Sequence, residues 1–387
     1  STIQVYLGEV FFSWLISGAG WWLFLKHLGM GRISRAFSCL LLYILPLSIF
    51  ALTIQSGLGH ISLSSLPWIL LVWQKFLAGG NRKYLFLTLI LLVINFLVST
   101  DSILAFILGL TVVTITEVQF HNLTLKLFVM CCLFTTALVF ATCWYSPLFW
   151  WTLFSNPSFG GKPLFKVAQI IIQLVQGIIP IILAYWTIKW RHIVLKKIEK
   201  FLIFFGSSYI FLTLIRLVSD IDFWIDWTAY VLELQIVLSI GIGNFLSSFK
   251  FKKLAIIFIS FVLIAADIFF IKVWFYNPDV INYQSSVKNL IGVVDNLPFG
   301  NRWFLSGSPV FWSNKMQVRG GRDEVSTHPA WAMGAYNIRE GTDSRLAEIW
   351  LKAFGVRYLL VHENSSKEYF KDYKNLIRFS SFKLIES

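Results

Sequence analysis

Long runs of apolar residues, each followed by a short polar or charged loop, recur from residue 5 to residue 275 and constrain the fold more than any other feature. Each run is close to the ~20 residues that an α-helix needs to cross a bilayer. The ten runs lie at 5–25, 34–54, 61–78, 84–99, 102–119, 123–143, 167–188, 199–218, 227–247 and 254–275. We therefore predict a polytopic α-helical membrane protein with about ten transmembrane helices.

Charged residues are distributed unevenly along the chain. Residues 277–387 contain 25 of the 53 Asp, Glu, Lys and Arg residues, although they make up less than a third of the sequence. A surface rich in charge is typical of a water-exposed domain. We predict a transmembrane domain over 1–276 and a small α/β domain over 277–387.

The pattern of the C-terminal segment favours alternating helices and strands. "TDSRLAEIWLKAFG" (342–355) predicts a helix with Thr342 as its N-cap and Gly355 as its stop. "VRYLLVH", which follows directly, predicts a buried strand. Helices are also predicted at 285–297 and 367–373, and strands at 302–306 and 377–385.

Lysine and arginine residues collect in every second loop between the apolar runs. Of the 19 such residues before residue 277, 15 lie in these loops: Lys26, Arg32, Arg35, Lys75, Arg82, Lys83, Lys126, Lys189, Arg191, Lys196, Lys197, Lys200, Lys250, Lys252 and Lys253. The positive-inside rule places these loops in the cytoplasm. We expect a multi-pass protein of the cell membrane whose C-terminal domain is extracytoplasmic. The same rule accounts for most of the net charge of +13, so we do not expect a nucleic acid partner.

Several segments resemble a known family when they are taken in order. They are "GAGWWLFLKHLGMGRISRAFSCLLLYILP" (18–46), "GLGHISLSSLPWILLVWQKFLAGGNRKYLFL" (57–87), "LKAFGVRYLLVH" (351–362) and the closing "FKLIE" (382–386). Together they resemble the YfhO-like membrane proteins, also called 6-pyruvoyl-tetrahydropterin-synthase-related, which are related to the GT-C superfamily of glycosyltransferases.

This resemblance implies a sugar transferase at the outer leaflet. The donor would be a polyprenyl-phosphate-linked sugar, the acceptor an envelope glycan or lipid, and a divalent cation a possible cofactor. The resemblance places the family's catalytic acidic residue in a first outer loop. This sequence corresponds to the family from about its fourth span, so that residue is expected upstream of Ser1.

Some residues of the predicted outer face fit this chemistry, which needs carboxylates for an acceptor hydroxyl and cations for a phosphate. Asp220 and Asp222 have the D-x-D spacing that can hold a divalent cation, although a solvated acidic loop explains them as well. Arg216 would contact a lipid phosphate or pair with Asp220. Asp101 is either a helix cap or a ligand of a metal or acceptor.

Four further residues are candidates for substrate binding. His60 matches a Gly-His of the family and is otherwise a helix-cap or interfacial histidine. Glu233 falls within the ninth apolar run, where an ionisable group is costly and marks either a path through the membrane or a structural hydrogen bond. Arg319 and Arg322 flank a glycine pair in a charged loop of the C-terminal domain. The aromatic segment 144–166 is either an aromatic belt or a platform for the lipid.

Two other functions remain open on the sequence alone. A transporter or flippase for an envelope lipid or polymer would need more polar groups within the membrane. A non-catalytic scaffold would use the C-terminal domain to bind a partner. No G-x-S-x-G, P-loop, H-E-x-x-H or zinc motif is present, so nothing favours a hydrolase, ATPase or metalloprotease.

Overall fold

The fold was obtained as a computed structural model of the chain. It describes residues 2–44, 63–98, 102–118, 120–144, 146–148, 151, 155, 163–219, 227–246, 252–275, 291–292, 294–296, 302–305, 333–334, 336–338, 341–362, 376–379 and 382–386. The chain divides into two compact units. One unit is helical and comprises most of residues 3–271, and the other contains the C-terminal strands.

Within the described part of the first 275 residues, ten helices of 13 to 28 residues are present, and each overlaps one of the predicted apolar runs. They are α1 Thr2–His27, α2 Arg32–Ile44, α3 Leu66–Gly79, α4 Arg82–Val98, α5 Ile103–Glu117, α6 Phe120–Ala141, α7 Pro163–Trp190, α8 Lys197–Ser219, α9 Trp227–Leu246 and α10 Lys252–Phe275. Pro67 stands in the first turn of α3, where its missing N–H is not needed, and Gly80 ends that helix with a positive φ of 65°.

Three stretches within these helices are long and apolar enough to cross a membrane on length and composition. They are Asn122–Ala141, Val167–Trp190 and Lys197–Ile215. In the first two, most of the apolar side chains are not covered by protein. Only 22% and 17% of their most apolar 18-residue stretches are buried. Exposed apolar surface of this extent needs a lipid environment. The chain is therefore a helical, membrane-associated protein.

The helices of the first unit pack in neighbouring pairs around a core of large aliphatic and aromatic side chains. Helix α3 packs on α4 and α5, α4 on α6, α5 on α8, α8 on α9, and α9 on α2. Several threonine hydroxyl groups within the apolar helices bond to the preceding turn of their own helix; Thr114, for example, donates to the carbonyl of Leu110. The same hydroxyl accepts a 2.9 Å hydrogen bond from the indole of Trp73, which joins α3 to α5.

The helix ends show which termini share a face. Lys197 at the start of α8 bonds to Glu117 at the end of α5, and both act electrostatically on His27 at the end of α1. At the other end of α3, Ser65 donates to Asn95 near the end of α4. The ends of α1, α3 and α5 and the start of α8 therefore meet on one side, which we call the basic face.

In the second unit the described residues form a four-stranded mixed sheet. Its strands are β1 Arg302–Leu305, β2 Val356–His362, β3 Leu376–Phe379 and β4 Phe382–Glu386, in the order β1-β2-β4-β3. Strand β1 pairs parallel to β2, and β4 pairs antiparallel to both β2 and β3. Strands β1 and β2 lie at residues predicted from sequence. The single strand predicted at 377–385 is wrong, because that segment forms β3 and β4 of a hairpin.

One helix of this unit, α11 (Ser344–Ala353), packs on β2. Its buried side chains Ala347 and Leu351 join Phe304, Val356 and Leu359 in a small apolar core. The prediction that Thr342 caps this helix is wrong by one residue. Asp343 is the N-cap, and its carboxylate accepts from the N–H groups of Arg345 and Leu346. Gly355 has a positive φ of 66° and follows the helix, as predicted.

Candidate functional site

A group of polar side chains lies within the apolar helices α7, α8 and α9. We call Gln173, Gln176, Tyr209, Tyr230 and Glu233 the polar cluster. Gln173 is 2% exposed and donates to the hydroxyl of Tyr230. One turn further along α7, the carbonyl of Gly177 accepts a 2.7 Å hydrogen bond from the Ser208 hydroxyl of α8. These bonds hold the three helices in register around the cluster.

Glu233 lies beside the two tyrosines of the polar cluster. It follows Tyr230 by three residues on α9, so both side chains share one helix face. Tyr209 is fully buried on α8, and its ring centroid is 6.5 Å from that of Tyr230. Tyr209 is also close enough to Glu233 for the two side chains to interact electrostatically. The helices thus place two phenols and a carboxyl group beside each other, away from water.

Four oxygen atoms in or next to the polar cluster are buried and have no hydrogen-bond partner among the described residues. They belong to Gln176, Tyr209, Thr213 and Glu233. Leaving a buried polar atom unsatisfied costs about 1–3 kcal/mol, and more where the group is charged. Each of these atoms can accept a hydrogen bond, and the hydroxyl groups can also donate. The arrangement suits a ligand that carries several hydroxyl groups.

Glu233 is the predicted candidate that the structure describes in full, and its side chain is 4% exposed. Arg216 falls within α8, as its apolar run predicted, and the structure describes its backbone alone. The other candidates, His60, Asp101, Asp220, Asp222, Arg319 and Arg322, lie outside the described residues. So do most of the aromatic segment 144–166, the helix predicted at 367–373 and much of the one predicted at 285–297.

A second polar site, on the basic face, was not predicted. Glu117 at the end of α5 is 6% exposed and accepts from Gln74 at 2.7 Å and from Lys197 at 2.6 Å. Lys197 itself is 54% exposed, so the pair has one buried and one solvated member. A glutamate at the carboxyl end of a helix is unfavourable for the helix dipole. A glutamate at this position in the sequence could therefore have indicated that a cation from another helix lies close to it.

Further cations lie on the basic face. Lys75 lies on α3 beside Gln74, and Lys126 on α6 places its ammonium group 4.7 Å from the centre of the Phe76 ring. Desolvation lowers the pKa of His27 from its ordinary value of 6.5, and the charges of Lys75, Lys26 and Lys197 lower it further, against the opposing effect of Glu117. The local field at His27 is therefore positive even though a carboxylate is close by.

Within the part of the chain that the structure describes, no group of three or more His, Cys, Asp or Glu side chains could hold a metal ion. The predicted D-x-D pair, Asp220 and Asp222, lies outside that part. A scan against models of protein families finds no match to this chain, and a search of curated proteins finds none either. The case for a function therefore depends on the geometry of the chain's own residues.

Proposed function

We propose that this chain is the membrane core of a GT-C-like glycosyltransferase, which moves a sugar from a polyprenyl-phosphate carrier to an envelope glycan or lipid. The polar cluster around Glu233 is the observation that carries this proposal. A sugar presents several hydroxyl groups, and the cluster offers a buried carboxyl group, two phenols and the amide of Gln173, with Gln176 half-buried one turn further along α7. Aromatic rings beside hydrogen-bonding groups suit the mixed surface of a sugar ring.

The proposed topology has all ten helices crossing the bilayer with the basic face in the cytoplasm. It is supported by the match between the ten helices and the ten apolar runs, and by the meeting of alternate helix ends on one side. The C-terminal sheet and α11 would then form an extracytoplasmic α/β domain. A protease added to intact spheroplasts should remove the last ~110 residues. If the protease cleaved this C-terminal segment only after lysis, the domain would lie in the cytoplasm and the proposed topology would be reversed.

The polar cluster also favours a second function, the transport or flipping of an envelope lipid. An acidic group within a helix bundle is typical of a path through the membrane. Transport and transfer can be separated in proteoliposomes that contain the full chain. Undecaprenyl phosphate carrying a labelled hexose is the donor, and an envelope lipid extract is the acceptor. Labelled product indicates transfer, whereas movement of the label between leaflets without product indicates transport.

Glu233→Gln tests the role of the polar cluster in either activity. The substitution keeps the size of the side chain but replaces one acceptor oxygen by a donor. Loss of one good hydrogen bond to a substrate should lower the activity at least about tenfold, the effect of ~1.4 kcal/mol. Ser239→Ala is the matched control, since Ser239 is buried on the same helix and its hydroxyl has no partner among the described residues. Full activity of Glu233→Gln would show that the polar cluster is not part of the active site. Absence of both transfer and movement in the wild-type protein would favour the scaffold.

A further inference from the structure

Four lysines and a histidine from four helices lie on the basic face, where Lys197 pairs with Glu117. We call Lys26, His27, Lys75, Lys126 and Lys197 the basic cluster. Lys26 and His27 end α1, Lys75 lies on α3, Lys126 on α6, and Lys197 begins α8. The charges of Lys26, Lys75 and Lys197 all lower the pKa of His27, so these three lysines lie near its imidazole.

The nearby carboxylates do not neutralise this charge. Both oxygens of Glu117 are already engaged, one by Gln74 and the other by Lys197. Glu199, in the first turn of α8, accepts from the backbone N–H of Lys196 at the entrance to its own helix. Among the described residues at these helix ends, no other carboxylate is present. Lys26, Lys75 and Lys126 therefore contribute positive charge that Glu117 does not offset.

Aromatic rings hold two of these ammonium groups in place. Lys126 lies 4.7 Å from the Phe76 ring centre, and Lys75 lies 5.7 Å from that of Tyr84. Both lysines are partly buried, so their stems pack on apolar surface while the charged ends reach outward. Side chains that are held in this way lose less conformational freedom when they bind an anion.

We propose that the basic cluster binds the phosphate of an anionic lipid headgroup. The cluster lies at the ends of apolar helices, which is the depth at which lipid phosphates are found. A phosphate presents several acceptor oxygens, and the ammonium groups donate to them from several sides. The site is on the opposite side of the bundle from the outer face that the proposed sugar transfer would use, and it does not depend on that function.

The test measures lipid binding by the full chain in a neutral detergent. The probes are short-chain phosphatidylglycerol, short-chain phosphatidylcholine and inorganic phosphate, and the readout is the shift in the thermal unfolding midpoint. The double variant that combines Lys26→Gln and Lys75→Gln should bind phosphatidylglycerol roughly 30-fold more weakly than the wild type. Each lysine near a lipid phosphate contributes about tenfold or less to the affinity. Neither lysine pairs with Glu117, so the double variant keeps the contact between α5 and α8.

The matched control is Arg32→Gln with Lys196→Gln, which removes two exposed cations from the same face. Neither of these charges acts on His27, so the control should bind phosphatidylglycerol within about threefold of the wild type. Three results would overturn the proposal. They are an equal loss in the control, a midpoint that responds equally to phosphatidylcholine, and inorganic phosphate binding as tightly as phosphatidylglycerol. The last result would assign the site to a soluble phosphate instead.

Discussion

The ammonium group of Lys197 lies 2.6 Å from a carboxylate oxygen of Glu117, and so joins the first turn of α8 to the last turn of α5 across 80 residues of sequence. The two partners differ in exposure. Glu117 is nearly buried, whereas Lys197 is half exposed. Removing one partner therefore has a different consequence from removing the other.

Lys197→Ala should destabilise the protein more than Glu117→Gln does. The first change leaves a buried carboxylate without its cation, at a cost of about 1–2 kcal/mol after screening by solvent at the exposed partner. The second leaves a neutral amide that still accepts from Gln74, and should cost less than ~1 kcal/mol. Thermal unfolding in detergent measures both, with Lys196→Ala as the control. A larger loss of stability in Glu117→Gln than in Lys197→Ala would contradict the assignment of Glu117 as the buried partner and Lys197 as the exposed one.

The stability of the protein should fall as the pH falls below about 6.5, partly through His27. Its pKa in the folded state is lower than the ordinary 6.5, so the unfolded chain binds more protons between these two values. Above 6.5 the imidazole is neutral in both states, and below the folded pKa it is protonated in both. His27→Gln should reduce the pH dependence of the unfolding midpoint in this window. An unchanged profile would mean that the surrounding lysines do not act on His27.

Gly243→Ala should disrupt the contact between α9 and α2. A Cβ atom at this position would collide with the side chain of Ser38 and lie 3.0 Å from the backbone oxygen of Ser34. Overpacking of this kind costs about 1–3 kcal/mol. Gly241→Ala is a close control, because nothing lies within 4 Å of the place that its Cβ would take and alanine favours the helix by up to ~1 kcal/mol. Equal stability of the two variants would contradict the close approach of α9 to α2 at Gly243.

Asp343→Ala should destabilise α11 by about 1 kcal/mol, because it removes the acceptor for two N–H groups of the first turn. Thr342→Ala should have little effect, although the sequence pattern favoured Thr342 as the cap. Hydrogen exchange of the α11 amides in the full chain reports on both variants. Faster exchange in Thr342→Ala than in Asp343→Ala would assign the cap to the threonine.

The sequence was most informative where one periodic signal dominated. The apolar runs located the ten described helices of the first 275 residues, and the short apolar run of "VRYLLVH" located β2. The hairpin of β3 and β4 was missed because its two strands are short and only two residues separate Phe379 from Phe382. The cap at α11 was missed because Thr342 and Asp343 are both good caps, and backbone geometry decides between them.

The candidate sites were harder to predict, because they are assembled from residues that are far apart in sequence. Glu233 was recognisable as an acidic residue in an apolar run. Its neighbour Tyr209 was not, because a tyrosine in such a run is ordinary until the packing of α8 on α9 brings the two together. Glu117 and Lys197 were likewise ordinary residues of two helix ends until the packing of α8 on α5 joined them.

The position of β4 has a consequence for how the protein is made. Although β4 is the last strand in sequence, it lies inside the sheet, where it connects β3 to β2. Strand β3 therefore has no place in the sheet until residues up to Glu386 have left the ribosome. Helices α1 to α10 have been synthesised by then, since α10 ends more than a hundred residues earlier. The order of synthesis thus makes helix formation precede closure of the sheet, and a ribosome stalled before residue 382 would present helices with an unfinished sheet.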